Sequence, residues 1–155
     1  MTQTERPTLI DRFRTGTADV EDALAGIDAA GLDRRPPDAD DWTVREIVHH
    51  LADSEANAYI RLRRLIAEDD PRIVGYDEPV WARRLHYDRP IEPSLAVLRA
   101  VRVASLQLLE ALTPDEWERS GTHSESGPYR VDDWLEIYAG HSHDHADQIR
   151  RVRRS

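Results

Sequence analysis

Apolar residues recur at three- and four-residue intervals in four stretches of the chain, separated by segments rich in Pro, Gly and Asp. The first stretch predicts a helix over residues 8–27, with Leu9, Phe13, Val20, Leu24 and Ile27 as its apolar stripe. Gly31 and Arg35-Pro36-Pro37 lead it into a loop. The second predicts a helix over 43–67 and carries a complete start signal. Thr43 is the N-cap, Glu46 its capping-box partner, and Trp42 with Ile47 the hydrophobic staple. Its stripe continues through Leu51, Ala58, Leu62 and Ile66 until Glu68-Asp69-Asp70-Pro71 stops it.

The third helix spans 93–112, with Leu95, Leu98, Val101, Leu106, Leu109 and Leu112 apolar and a proline in its first turn. The fourth spans 131–152, with Leu135, Tyr138, Ile149 and Val152 on one face. Between the second and third, residues 71–93 lose the period and hold Tyr76, Trp81, His86 and Tyr87, with a short helix expected from Asp77 to Leu85. Long loops with aromatics often cover sites, but Tyr76 and Trp81 are read first as anchors of the loop on the core. No stretch alternates with period two, so no strand is expected, and residues 113–130 read as a loop punctuated by Gly121 and Gly127. The pattern predicts an all-α four-helix bundle, a single domain over 1–155. Bundles of this kind place metal sites on facing helices.

Composition narrows the chemistry. There is no cysteine, which excludes disulfides, thiolate zinc sites and a cysteine nucleophile, and leaves nitrogen and oxygen as metal donors. All 21 basic side chains are arginine, so no Schiff-base lysine exists. A net charge of −9 is the wrong sign for phosphate-backbone binding, and nucleic acid is not an expected partner. Arg150, Arg151, Arg153 and Arg154 instead complement the dipole at a helix C-terminus. Met1 to Arg14 has no apolar leader region and no window is long enough to cross a membrane, so a soluble cytoplasmic protein is expected.

Histidine supplies the candidate site. His141 and His145 stand four residues apart on the fourth helix, so both imidazoles leave one face and can reach a common ion. Tyr138, His141, His145 and Ile149 form one continuous row, at the edge of the buried stripe. On the second helix His50 lies beside the apolar stripe, whereas His49 groups with Arg45 and Asp53 on a wetter face; His50 is therefore the third ligand. Three protein ligands with an open position for water are the arrangement of a catalytic metal site. The pair lacks the glutamate of H-E-x-x-H, because Ser142 follows His141, which argues against a zincin protease. His49, His86, His123 and His143 are read as flanking or surface residues. Imidazole-only ligation suits zinc or nickel, and affinity is expected to fall as pH drops through about 6.5.

Glu55 and Asn57 are candidate catalytic residues on the inner face of the second helix, Glu55 as a general base and Asn57 to orient water or substrate. A partly exposed carboxylate and a helix-to-helix hydrogen bond are the plain alternatives. Gln148, three residues after His145, is read either as a hydrogen-bond partner of that ligand or as a solvent-facing amide.

The run from Asp41 to Ser54, DWTVREIVHHLADS, continuing through Asn57, Ala58, Tyr59 and Ile60, resembles the first signature of the DinB-like superfamily, in its YfiT-like branch. Tyr76-Asp77-Glu78 with Trp81, then His123 to Gly127, then Tyr138-Ala139-Gly140-His141 to Ile149, resemble later family segments in the same order. The resemblance spans essentially the whole chain. It implies an up-down-down-up four-helix bundle, a homodimer, and a three-histidine nickel or zinc site on residues matching His50, His141 and His145. It also implies a metal-dependent hydrolase acting on a small molecule, with thiol S-transferases of the bacillithiol or mycothiol type among its relatives. Glu55 stands where the nearest members are expected to have histidine, Gly140 where tryptophan is common, and Asp147 where another histidine often follows. Three function classes follow: a metal-dependent hydrolase first, a low-molecular-weight thiol S-transferase second, and a non-catalytic metal-stabilised binding module third.

Overall fold

A computed structural model describes residues 5–36 and 42–155. Met1 to Thr4, and Pro37 and Asp41 of the segments read above, lie outside the described residues. In chain order the elements are α1 (Arg6–Leu24), the single-turn α2 (Ala29–Leu32), α3 (Val44–Ala67), β1 (Arg72–Ile73), α4 (Glu78–Arg84), α5 (Glu92–Ala111), the single-turn α6 (Pro114–Trp117), β2 (Ser120–His123), β3 (Gly127–Arg130) and α7 (Val131–Arg154). The long helices α1, α3, α5 and α7 are the four that the apolar period predicts.

Local chemistry fixes their ends. The Thr43 hydroxyl accepts the Glu46 N–H at 3.2 Å and the Glu46 carboxylate accepts the Thr43 N–H at 2.8 Å, the reciprocal box that starts α3. At the other extreme α1 stops three residues short of Ile27, because Gly26 takes a positive φ of 70° and turns the chain out of the helix.

Side-chain register gives the helix directions. Arg6 meets Asp132 at 2.8 Å and Asp19 meets Arg150 at 2.5 Å, so α1 and α7 run parallel. His49 meets Ser94 at 2.7 Å and Glu55 meets Arg102 at 2.6 Å, so α3 and α5 are also parallel. The other two neighbouring pairs are antiparallel: Ala58 accepts from the Trp134 indole at 2.9 Å while His50 sits by His145, and Arg14 pairs with Glu110 while Arg99 pairs with Glu21. The bundle is therefore up-down-down-up. Parallel neighbours need a crossover, which is why α3 and α5 are joined by the long connection holding β1 and α4.

The expectation of no strand is corrected. A three-stranded sheet, β1-β2-β3, caps one end of the bundle region, with β1 parallel and β2–β3 antiparallel. Its strands have two to four residues and include Gly121, Gly127 and Pro128, too short and too turn-like to show a period. Gly121 is required there, since a Cβ would collide with the Pro71 backbone carbonyl. The sheet seals loops, and the mostly helical four-helix fold stands.

The core has two apolar halves. One contains Phe13, Leu62, Leu65, Leu109, Trp134 and Leu135; the other contains Val20, Ile47, Leu51, Leu98, Ile149 and Val152. Between them lies a buried polar layer: Glu55, Arg102 and Ser142, none more than 3% exposed, with His50 beside them. Arg102 occupies the α5 stripe between Leu98 and Leu109, where the periodic reading had only apolar residues.

Candidate metal centre

His50 projects from α3, and His141 and His145 from the antiparallel α7. One ring nitrogen from each of the three lies within 4.8 Å of the other two. Ring centroids are 4.7 to 5.6 Å apart and the Trp42 ring packs on His50 at 4.6 Å. The helical spacing on α7 makes this possible, since residues four apart stack on one face. The staple residue Trp42 closes the start of α3 and walls His50 at once.

Electrostatics keep His50 and His145 uncharged. Burial, then the neighbouring His145 and His141, push His50 down to about 3. Burial and then His141 push His145 down to about 4, against its hydrogen bond to Gln148. At neutral pH both rings carry a free lone pair.

Two rings are held from behind. His145 Nδ1 donates to Gln148 Oε1 at 2.7 Å, and His141 Nδ1 donates to Glu55 Oε1 at 3.1 Å. Each bond puts a proton on Nδ1 and fixes the orientation of the ring. His50 makes no such bond among the described residues. Burial raises the Glu55 carboxyl, but the Arg102 guanidinium and the His141 hydrogen bond outweigh it and hold Glu55 below the usual carboxylate range. Three convergent imidazoles with no thiolate form a donor set that fits a borderline divalent ion.

The other sequence candidates fall in different places. Glu55 is not the partly exposed carboxylate of the plain alternative: it is 2% exposed, and Oε1 faces Arg102, His141 and Ser142. A carboxylate so engaged holds the His141 ring in place. Asn57 donates to the Asp53 carbonyl at 2.8 Å and lines a separate cavity, so the structure does not bring it to the histidines. Gln148 is where its spacing placed it, on His145.

His49 is not on a wet face. It is fully buried, with Nδ1 2.7 Å from the Ser94 hydroxyl and Nε2 donating to the Arg89 carbonyl at 3.0 Å, because the parallel α5 covers that side of α3. His143 turns to α1, with ring nitrogens 2.6 Å from the Asp19 carboxylate and 2.9 Å from the Arg12 carbonyl. Tyr76 and Trp81 stack at 4.4 Å, and Trp81 lines the cavity beside α3. The residue that sequence reasoning missed is Arg102. Its signal was present: an arginine in phase with Leu98 and Leu109, matching the glutamate in phase with Leu51 and Ala58.

Fold and site together define a class: a four-helix bundle whose inward histidines, on two antiparallel helices, form a group able to hold a metal ion. The chain belongs to the DinB superfamily, whose family model matches residues 12–149. Relatives named "putative metal-dependent hydrolase" include proteins of Oceanobacillus iheyensis, 44% identical over 70% of this chain, and Halalkalibacterium halodurans, 31% identical over 72%. The chain spans under two thirds of those two proteins, 63% and 65% of their lengths. A third relative so named, from Bacillus mycoides, is 32% identical over 94% of this chain and 86% of its own. Among solved structures, Bacillus subtilis YfiT matches with a TM-score of 0.90 at 29% identity, over 99% of this chain and 89% of that one. It is described as "a probable metal-dependent hydrolase with an unusual four-helix bundle topology".

Proposed function

We propose that this chain is a metal-dependent hydrolase of a small molecule, with one zinc or nickel ion held by His50, His141 and His145. The observation that carries the reading is the convergence of three imidazole nitrogens within 4.8 Å, two of the rings oriented from behind. A divalent ion in this place would supply Lewis-acid polarisation and lower the pKa of water. Among the described residues no fourth His, Cys, Asp or Glu joins the group, which supports an open coordination position over a closed structural site.

The chain's own residues do the rest. Glu55 and Gln148 hold two rings in one tautomer and one orientation, and Trp42 keeps water from one side of His50. The homodimer is part of the same proposal and is tested by light scattering.

The experiment is metal content with coordination, followed by turnover of ester and amide panels with and without thiols. Close to one equivalent of zinc or nickel in the wild type, none in His50→Ala/His141→Ala/His145→Ala, and thiol-independent hydrolysis are expected. Equal metal in both proteins removes the site. A second reading is low-molecular-weight thiol S-transfer. Turnover that appears only with an added thiol replaces the first reading by the second.

A further inference from the structure

We infer that Arg102 is a positioning residue for the metal centre: through Glu55 it fixes the orientation of the His141 imidazole, and it does so from a point that touches all four long helices. The inference rests on the reading of His141 as a ligand. It goes beyond that reading by adding a residue, on a helix that carries no candidate ligand, that controls the site's geometry.

The contacts are these. Arg102 stands on α5 and is 3% exposed. One terminal nitrogen donates to Glu55 Oε1 on α3 at 2.6 Å and to the Tyr138 carbonyl on α7 at 3.3 Å. The other donates to the Phe13 carbonyl on α1 at 2.5 Å, and the guanidinium carbon lies 3.8 Å from the centre of the Phe13 ring. Room for this comes from Gly16. A Cβ there would lie 2.8 Å from an Arg102 nitrogen and 2.9 Å from Ser142 Cβ.

Stability alone gives no reason for such a group. A buried ion pair is often replaced by apolar residues of like volume with no loss, because desolvation of two charges consumes most of their attraction. Among the described residues, Arg102 Nε is even left buried without a hydrogen-bond partner. What the pair does achieve is directional. Glu55 is a side chain with three rotatable bonds, and Oε1 is the shared acceptor for Arg102, His141 Nδ1 and the Ser142 hydroxyl. Anchoring that oxygen to a guanidinium that is itself fixed on two backbone carbonyls gives the His141 ring a fixed partner. His145 has no such dependence, since Gln148 lies on its own helix. Of the two α7 imidazoles, one is aimed locally and one is aimed by α5.

The test uses Arg102→Met/Glu55→Gln, which leaves no unpaired buried charge, together with Arg102→Lys, which keeps a cation for Glu55. Zinc affinity is read by chelator competition, the ligand field by the visible spectrum of the cobalt-substituted protein, and the two Nδ1 protons by NMR of the metal-free protein. The double variant is expected to melt near the wild type, to bind zinc about 10- to 100-fold more weakly, and to lose the hydrogen-bonded His141 Nδ1 proton while keeping that of His145. Arg102→Lys should recover most of the affinity. Unchanged affinity and an unchanged His141 proton in the double variant, whatever its melting temperature, overturn the inference. The metal-free NMR arm separates the two readings. Failure of zinc to bind the wild type removes the metal proposal, whereas selective loss of the His141 proton still supports the positioning role.

Discussion

The Gln148 amide oxygen accepts from His145 Nδ1 at 2.7 Å, one turn along the same helix, so the imidazole and the group that aims it are set by α7 alone. Their relative position survives any rearrangement of the other helices. Replacing Gln148 with alanine is therefore expected to weaken zinc binding about 10-fold with little change in stability, as loss of an outer partner does at other metal sites. Chelator competition with a parallel melting curve checks both parts, and unaltered affinity would sink the idea.

The pH response follows from His50 and His145, held at about 3 and about 4 mainly by burial. Both values lie below the unfolded value near 6.5, so in acid the unfolded chain binds more protons than the folded one. Stability that is fully present above about 6.5 is lost as pH falls through the folded values, at up to about 1.4 kcal/mol per pH unit for each histidine. Urea unfolding of the metal-free protein between pH 7 and pH 4 should show this decline. The same values put proton uptake by His50 and His145 in the folded chain at about 3 and about 4.

At Gly16 the close approach of α1, α7 and Arg102 predicts a cost for any side chain. Gly16→Ala places a methyl 2.9 Å from Ser142 Cβ, which belongs to a rigid helix, and 2.8 Å from the guanidinium. Destabilisation of about 1–3 kcal/mol is expected from overpacking, despite the better helix propensity of alanine. A stabilised Gly16→Ala in a denaturant titration would show that α1 can move away freely.

His143→Ala should keep the metal. That ring faces Asp19 and Arg12 of α1, and its removal should cost about 1 kcal/mol of stability through the lost hydrogen bonds. Metal analysis giving less than half the wild-type content would place His143 in the site.

What the sequence determined is local. The apolar period placed α1, α3, α5 and α7 within a few residues, the Thr43–Glu46 box placed the start of α3, and the four-residue spacing put His141 and His145 on one face. Each depends on atoms within about a turn of one another, and a turn repeats reliably. The choice of His50 over His49 also followed from phase, although the reason given for rejecting His49 did not hold. His49 is as buried as any core residue, because a parallel α5 lies on its side of α3. The sheet was invisible because its strands borrow their pairing from distant segments, residues 72–73 against 122–123. Only the tertiary structure decided the role of Glu55 and the existence of its partner. Glu55 and Arg102 stand 47 residues apart and meet at 2.6 Å because α3 and α5 run parallel, a fact that no window of sequence contains. A charge at a core position is legible from its phase; which opposite charge answers it, and what that pair then holds in place, is set by helix packing.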